Sequence, residues 1–258
     1  MSARVLVVVS ARMASSRCPG KALAPLAGRP LLEVLLDRMA AVRGVDGVVL
    51  ATSVKAENDP LVDVARSAGF EVFRGDEDDV LRRHVDCARA LGADHVVRVT
   101  GDNPLTDVET IESLVARHGR EAADYTYVPG DALLMGILAE VISRSALERS
   151  WERGDARHRS ELMTLYIKER PEEFRIALGT LSADLYRPQY RLTVDEPEDV
   201  SLMQAVFARL ARPGHVVTTR VAIALLDADP SLAAINASAR HKAGNLNSVA
   251  LDAAIINR

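Results

Sequence analysis

Short apolar runs rich in β-branched residues alternate with longer stretches of helical periodicity, and this alternation constrains the chain more than any single motif. The first run, Arg4–Val9, is apolar after its opening arginine, the pattern of a central strand buried on both faces. A polar loop follows. Leu31, Leu32, Leu35, Leu36 and Met39 then recur at helical spacing within Pro30–Val42. Gly47–Ala51, Phe70–Phe73 and His95–Val99 read as further strands. Between them lie a helix that Asp59 and Pro60 open and Gly69 closes, and a helix Asp79–Leu91 that Asp78 opens and Gly92 ends. Val108–His118 makes the next helix, stopped by Gly119.

The pattern loosens after that point. Tyr125–Val128, Phe174–Leu178 and Tyr190–Val194 read as strands, Ser143 as the cap of a short helix through Trp151, and Arg159–Lys168 as a helix ending before Pro171. Pro197–Leu210 and Arg220–Leu226 are the last clear helices. A single domain over residues 1–235 is expected, followed by a loosely packed tail over 236–258 in which Val249–Ile256 makes one or two helical turns. The fold class is α/β, a mostly parallel sheet covered by helices.

Composition narrows the partners. A formal net charge of −4 leaves no global basic field for a long nucleic acid, and 4% aromatic residues are too few for a base-stacking platform. The sequence carries no apolar run long enough to span a bilayer, and its first residues lack the pattern of a signal peptide. Cys18 and Cys87 make neither a disulfide framework nor a zinc-ligand spacing. A cytoplasmic protein with no nucleic-acid or membrane partner is expected. The six histidines are scattered with no i,i+4 metal pair, so each is assigned a structural or solvent-facing place.

A polyanion must then be held by a local cluster of cations, and the loop after the first strand contains one. In Ala11-Arg12-Met13-Ala14-Ser15-Ser16-Arg17-Cys18-Pro19-Gly20-Lys21, three positive charges fall within ten positions. Ligands of open α/β sheets bind outside the carboxyl ends of strands, which is where this loop lies. Its small residues let backbone N–H groups approach phosphates. A solvated basic turn is the competing reading. The loop is not a Walker A motif, because Ala22 follows Gly20-Lys21 and the earlier glycine is missing. No Gly-x-Gly-x-x-Gly follows the strand, which disfavours a dinucleotide enzyme.

Two further strand ends deliver carboxylates. Thr100-Gly101-Asp102-Asn103-Pro104 follows the His95–Val99 strand, where a carboxylate can hold Mg²⁺ against phosphate oxygens. Asp195 ends Arg191-Leu192-Thr193-Val194 just before a helix. Each also reads as an ordinary turn or N-cap aspartate. Asp195 is otherwise a second metal ligand facing Asp102.

In this order and at this separation the segments resemble the cytidylyltransferase family, over roughly Val5 to Leu232. That family includes the CMP-sialate and CMP-ketodeoxyoctonate synthetases and the SpsF-like spore-coat polysaccharide proteins. The resemblance lies in the opening basic loop, in Gly101-Asp102-Asn103-Pro104, in Leu192-Thr193-Val194-Asp195 with Pro197-Glu198-Asp199, and in Phe73–Leu81. It implies a Rossmann-like three-layer nucleotide-diphospho-sugar transferase fold with a mostly parallel mixed sheet. The implied activity is magnesium-dependent transfer of CMP from CTP to an acidic sugar or similar small anion. By the same resemblance Arg12, Lys21 and Asp102 are catalytic, and Asp102 and Asp195 bind the metal. Ala11, Arg12, Met13, Arg17, Gly20, Lys21, Ala51, Thr52, Ser53, Asp79, Arg83 and Thr100 meet the nucleotide, Glu140 and Glu161 meet the acceptor, and the chain forms a homodimer. Cys18, Leu138, Ser160 and Leu162 depart from the family pattern, the last three in the acceptor half. The rival readings are a glycosyltransferase of the same fold and a catalytically degenerate nucleotide-binding protein. Against the first, Gly101-Asp102-Asn103 offers one carboxylate where glycosyltransferases usually present Asp-x-Asp.

Overall fold

The computed structural model describes residues 3–15, 17–130, 135–239, 252, 255 and 256. In chain order the elements are β1 (Val5–Ser10), the short ribbon strands β2 (Pro25–Leu26) and β3 (Arg29–Pro30), α1 (Leu31–Ala40), β4 (Gly47–Ser53), α2 (Asp59–Ser67), β5 (Glu71–Gly75), α3 (Val80–Ala90), β6 (His95–Thr100), α4 (Val108–Arg120) and β7 (Tyr125–Tyr127). The second half adds β8 (Glu140–Ser143), α5 (Arg144–Arg153), α6 (Leu165–Glu169), β9 (Ile176–Leu178), α7 (Pro197–Leu210), α8 (Thr219–Ala228) and α9 (Pro230–Ala233). Seven strands form one sheet in the order β5-β4-β1-β6-β8-β7-β9. β5, β4, β1 and β6 run parallel, β8 is antiparallel to both β6 and β7, and β9 is parallel to β7. The result is a mostly parallel mixed sheet between two helical layers.

Alternation along β1 divides the core. Leu6 and Val8 point into one cluster with Leu81, Val85 and Leu147, while Val7 and Val9 point into the other with Leu32, Leu35, Leu36, Leu61 and Ile111. Both faces of β1 are dry, so an uninterrupted apolar run is what this position requires. Truncating a fully buried leucine such as Leu35 to alanine would cost about 2–5 kcal/mol. A third cluster joins Leu31, Leu105, Ile137 and Val194 to Leu202, Met203 and Val206 of α7 and to Ile223 and Leu226 of α8. It fastens the segment before α7 beside the ends of β1 and β6. Those ends are level, since Ser10 is in register with Ala51 on one side and Thr100 on the other. Three loops therefore leave the sheet at one edge.

Several local expectations change. α2 is preceded by Asn58, and Asp59 spends its carboxylate on Arg74 at 2.7 Å. Asp79, not Asp78, caps α3 by accepting the Arg82 N–H at 2.7 Å. α4 runs through Gly119 to Arg120, because the turn that ends it falls at Ala122, with φ 46°. Residues 156–164 form turns, so helix begins only at Leu165. Tyr190–Val194 joins no strand; the Leu192 and Val194 N–H groups instead reach the Met135 and Asp102 carbonyls. Most of the expected 236–258 tail lies outside the described residues, but Asn236, Asp252 and Ile255 are buried. Tyr166 packs inside against His158 and Phe174. Among the described residues no helix is long and apolar enough to cross a membrane.

Candidate active site

The basic loop, the end of β6 and the segment before α7 meet at Lys21. Its Nζ donates to Asp102 Oδ2 at 2.8 Å, to the Val194 carbonyl at 2.7 Å and to Asp195 Oδ1 at 3.1 Å. Burial alone would push the Lys21 ammonium down, but the two carboxylates outweigh it and raise its pKa above the ordinary lysine value. Two aspartates separated by 93 positions thus share one cation.

Their geometry argues against the turn and cap readings. The turn after β6 is closed by Asn103, whose amide donates to Thr100 Oγ1 at 2.7 Å, leaving the Asp102 side chain to Lys21. The residue that precedes α7 as its N-cap is Glu196, not Asp195. Asp195 accepts instead from Lys21, Arg17 and Arg191. Gly101 lets the turn approach β1: a Cβ there would stand 2.6 Å from the Ala11 Cβ and 2.9 Å from the Ser10 carbonyl oxygen. Gly20, at φ 73°, turns the basic loop back so that Lys21 faces this point.

The other loop cations are paired as well. Arg17 bonds Glu196 at 2.6 Å and Asp195 at 3.0 Å. Arg12 donates to the Glu77 carbonyl at 2.9 Å and carboxylate at 3.1 Å, and reaches Glu161 at 3.4 Å. The Met13 N–H is taken by Asn58 Oδ1 at 2.8 Å, which pins the loop to the start of α2. Ala11 donates to the Ala51 carbonyl, and Ala51, Thr52 and Ser53 form a fully buried floor at the end of β4. The Thr52 hydroxyl there has no hydrogen-bond partner among the described residues. Arg83 reaches beneath β1 to Ser10 Oγ at 3.1 Å and to the Asp76 carbonyl. Burial, reinforced by Arg12, lowers the Arg83 pKa to about 10.

Two expected contacts turn elsewhere. Both Asp79 oxygens are committed, one to the α3 cap and one to the Trp151 indole at 2.9 Å, so Asp79 does not face the nucleotide loop. Glu140 is buried on β8 and accepts from Arg98, Tyr125 and Thr164, which directs it inward. Burial acts to raise its carboxyl pKa, but Arg98, Lys168 and Tyr125 outweigh that and hold it below the usual range. Glu161 does lie beside Arg12, and its carbonyl accepts from Arg98 at 3.0 Å.

Asp102 and Asp195 suit a small, hard cation. Mg²⁺ takes oxygen ligands and is commonly bound through one or two carboxylates, with substrate phosphates and water completing the shell. Among the described residues no three His, Cys, Asp or Glu side chains gather as a ready metal cage. This chain would therefore supply the two carboxylates and leave the other positions to a ligand.

The cytidylyltransferase profile matches residues 6–221, which spans all three segments of the site. The chain belongs to the cytidylyltransferase family. It is 34% identical to the spore coat polysaccharide biosynthesis protein SpsF of Bacillus subtilis over 240 residues, covering 89% of this chain and 96% of that one. It is 39% identical to a 3-deoxy-manno-octulosonate cytidylyltransferase of an Anaeromyxobacter species over 115 residues, 43% of this chain and 46% of that protein. Its fold matches a solved cytidylyltransferase of Leptospira borgpetersenii with a TM-score of 0.81 at 24% identity, covering 90% and 97% of the two chains.

Sequence reasoning left out residues that this cytidylyltransferase uses to build the site. Asn58 and Glu77 fix the loop, and Glu196 pairs with Arg17. Glu77 was hidden in the acidic run Asp76–Asp79, which reads as a helix entry. Asn58 had a weak signal, a buried-type amide placed just before a proline-marked helix start. Arg191 and Asp199 surround Asp195; both stand in the segment that carries the family resemblance, but nothing local shows that they pair behind Asp195.

Proposed function

We propose that this enzyme transfers CMP from CTP to a sugar acid or a similar small anionic acceptor, releases pyrophosphate and requires Mg²⁺. The observation that carries the reading is the Lys21 ammonium shared by Asp102 and Asp195, beside Arg17 of the same loop. The name of the octulosonate relative supports both the nucleotide and the acceptor class, and that of SpsF supports a place in polysaccharide synthesis. The reading extends to a cytoplasmic homodimer, which light scattering on the purified protein tests.

In the reaction an anionic acceptor oxygen, its proton already lost to solvent, attacks the α-phosphorus of CTP. One O–P bond forms, the bond to the bridging oxygen of the β-phosphate breaks, and pyrophosphate leaves. The protein must bring two anions into line and cancel their repulsion. Lys21, Arg17 and Arg12 do this by exchanging carboxylate partners for phosphate oxygens. The loop backbone around Gly20 offers N–H groups to the same chain of phosphates. Asp102 and Asp195 would hold Mg²⁺, which when bound neutralises and polarises phosphate oxygens. Thr52, with Ala51 and Ser53, lines the side of the site assigned to the base. Glu161 stands next to Arg12 at the acceptor side.

A pyrophosphate-release screen tests the reading directly: four nucleoside triphosphates against acidic sugars and phosphonates, with Mg²⁺ or with chelator. Release is expected from CTP with a sugar acid, and only in Mg²⁺. Release that is equal in chelator, or transfer from a nucleotide sugar with no pyrophosphate, would overturn it.

A further inference from the structure

Asp195 is held from behind by a buried pair that the reaction does not consume. Arg191, four residues earlier, donates from Nη2 to Asp195 Oδ2 at 3.1 Å. The same guanidinium grips Asp199 through Nε, at 2.9 and 3.1 Å, and through Nη2 at 3.0 Å. Asp199 is completely buried and its Oδ2 also accepts the backbone N–H groups of Asp195 and Glu196, each at 2.9 Å. Asn236 closes the arrangement, donating to Asp199 Oδ1 at 2.8 Å and to the Arg191 carbonyl at 2.9 Å. Both the main chain and one carboxylate oxygen of Asp195 are therefore fixed. The oxygen turned toward Lys21 and Arg17 is Oδ1.

We infer that Arg191 and Asp199 are positioning residues that fix which oxygen of Asp195 meets the cation position at Lys21. The inference rests on the reading of Asp195 as a metal ligand. A planar guanidinium can hold two carboxylates at once, whereas a lysine ammonium at the same place is a single point charge without that fork. Without the fork Asp195 keeps its charge but rotates, so it still attracts a cation and no longer presents one fixed oxygen to it. The pair is distinct from an ordinary helix cap in one respect: a cap needs Asp199 and the two N–H groups, but not the bond from Arg191 to Asp195.

The test is a Mn²⁺ titration of the full-length enzyme with a non-hydrolysable CTP analogue, reading unbound Mn²⁺ by electron paramagnetic resonance, alongside turnover in Mg²⁺. Arg191→Lys is expected to weaken Mn²⁺ binding about tenfold, as loss of a partner behind a metal ligand does, with analogue binding in the absence of metal little changed. The Mg²⁺ concentration for half-maximal rate rises in parallel. Asn236→Ala removes two hydrogen bonds, to Asp199 and to the Arg191 carbonyl, which loosens the fork without deleting it, so a shift of about two- to fivefold in the same direction is expected. It decides the matter alone if Arg191→Lys does not fold. Folded variants with wild-type Mn²⁺ affinity and Mg²⁺ requirement would overturn the inference and leave the metal reading intact. Unchanged Mn²⁺ binding in Asp195→Asn would instead overturn the metal reading, and this inference with it.

Discussion

Two charged clusters in this molecule are built to opposite specifications. At the sheet edge Lys21, Arg17 and Arg12 keep partial contact with solvent, with side chains 14%, 30% and 23% exposed. Beneath the second half of the sheet, Arg98 pairs with Glu140, and Lys168 with Asp252 at 3.2 Å, among the stacked rings of Tyr125 and Tyr127. Glu140, Lys168 and Asp252 are all more than nine-tenths buried. A pair at an open edge can give up a carboxylate for a phosphate, because water and the incoming anion both compensate the change. A pair in a dry core cannot, since the partner left behind has nothing to replace it. The comparison separates cations that can act on a ligand from charges that hold the second half together.

The largest effect expected from breaking the comparison is in the buried cluster. Glu140→Gln removes the buried carboxylate that faces Arg98 and should cost about 3–5 kcal/mol of stability, read by urea denaturation. A loss confined to activity, with stability unchanged, would move Glu140 back to the acceptor. Next comes the edge cluster. Lys21→Ala should lower turnover about 10²-fold or more while leaving the fold intact, measured by pyrophosphate release and circular dichroism.

The acid limb of stability gives a third comparison. His84 and His118 are buried and held neutral, their pKa values lowered by burial to about 3 and about 4, and that of His95 is lowered too. His118 bonds His95 at 3.0 Å and Thr126 at 2.8 Å, at the end of β6 opposite the site. These bases bind protons more readily unfolded than folded. Their contribution is complete above the unfolded value near 6.5 and is lost as pH falls toward the folded values. Between pH 7 and 5.5 the chain should lose about 1 kcal/mol for each of His84 and His118, by thermal or urea unfolding. His118→Gln should flatten that slope. The smallest effect belongs to the exposed pairing of Arg29 with Glu33 and Asp37, where Arg29→Ala should change stability by about 0.5 kcal/mol or less.

The same contrast explains what the sequence made legible. From β1 to α4 the central strands β1, β4 and β6 are largely buried and each helix buries one face, so composition and spacing carry the structure directly. The α/β class, the mostly parallel sheet and the common edge of the loops after β1 and β6 followed from that. Lys21 and Asp102 come together because one lies in the loop after β1 and the other at the end of β6, whereas Asp195 was placed by a strand that does not form. The second half obeys no such rule. Tyr190–Val194 has a strand's composition but gives N–H groups to loop carbonyls, and residues 159–164, read as the start of a helix, form turns around Trp151 and Arg98. Motif position located Asp79 and Glu140 in the chain, but side-chain direction depends on partners far away, Trp151 for one and Arg98 for the other. Asp252 reaches Tyr127, Gly130 and Lys168 across more than eighty positions, which no local pattern announces.

The account depends on Lys21 standing where a divalent ion sits once the triphosphate is bound. A crystal grown with CTP and Mn²⁺, mapped by anomalous scattering, tests this most directly. The expected result is a Mn²⁺ peak in contact with both Asp102 and Asp195, with the Lys21 ammonium transferred to a phosphate oxygen. A bound CTP with Lys21 still bridging the two aspartates, and the metal peak elsewhere, would contradict it.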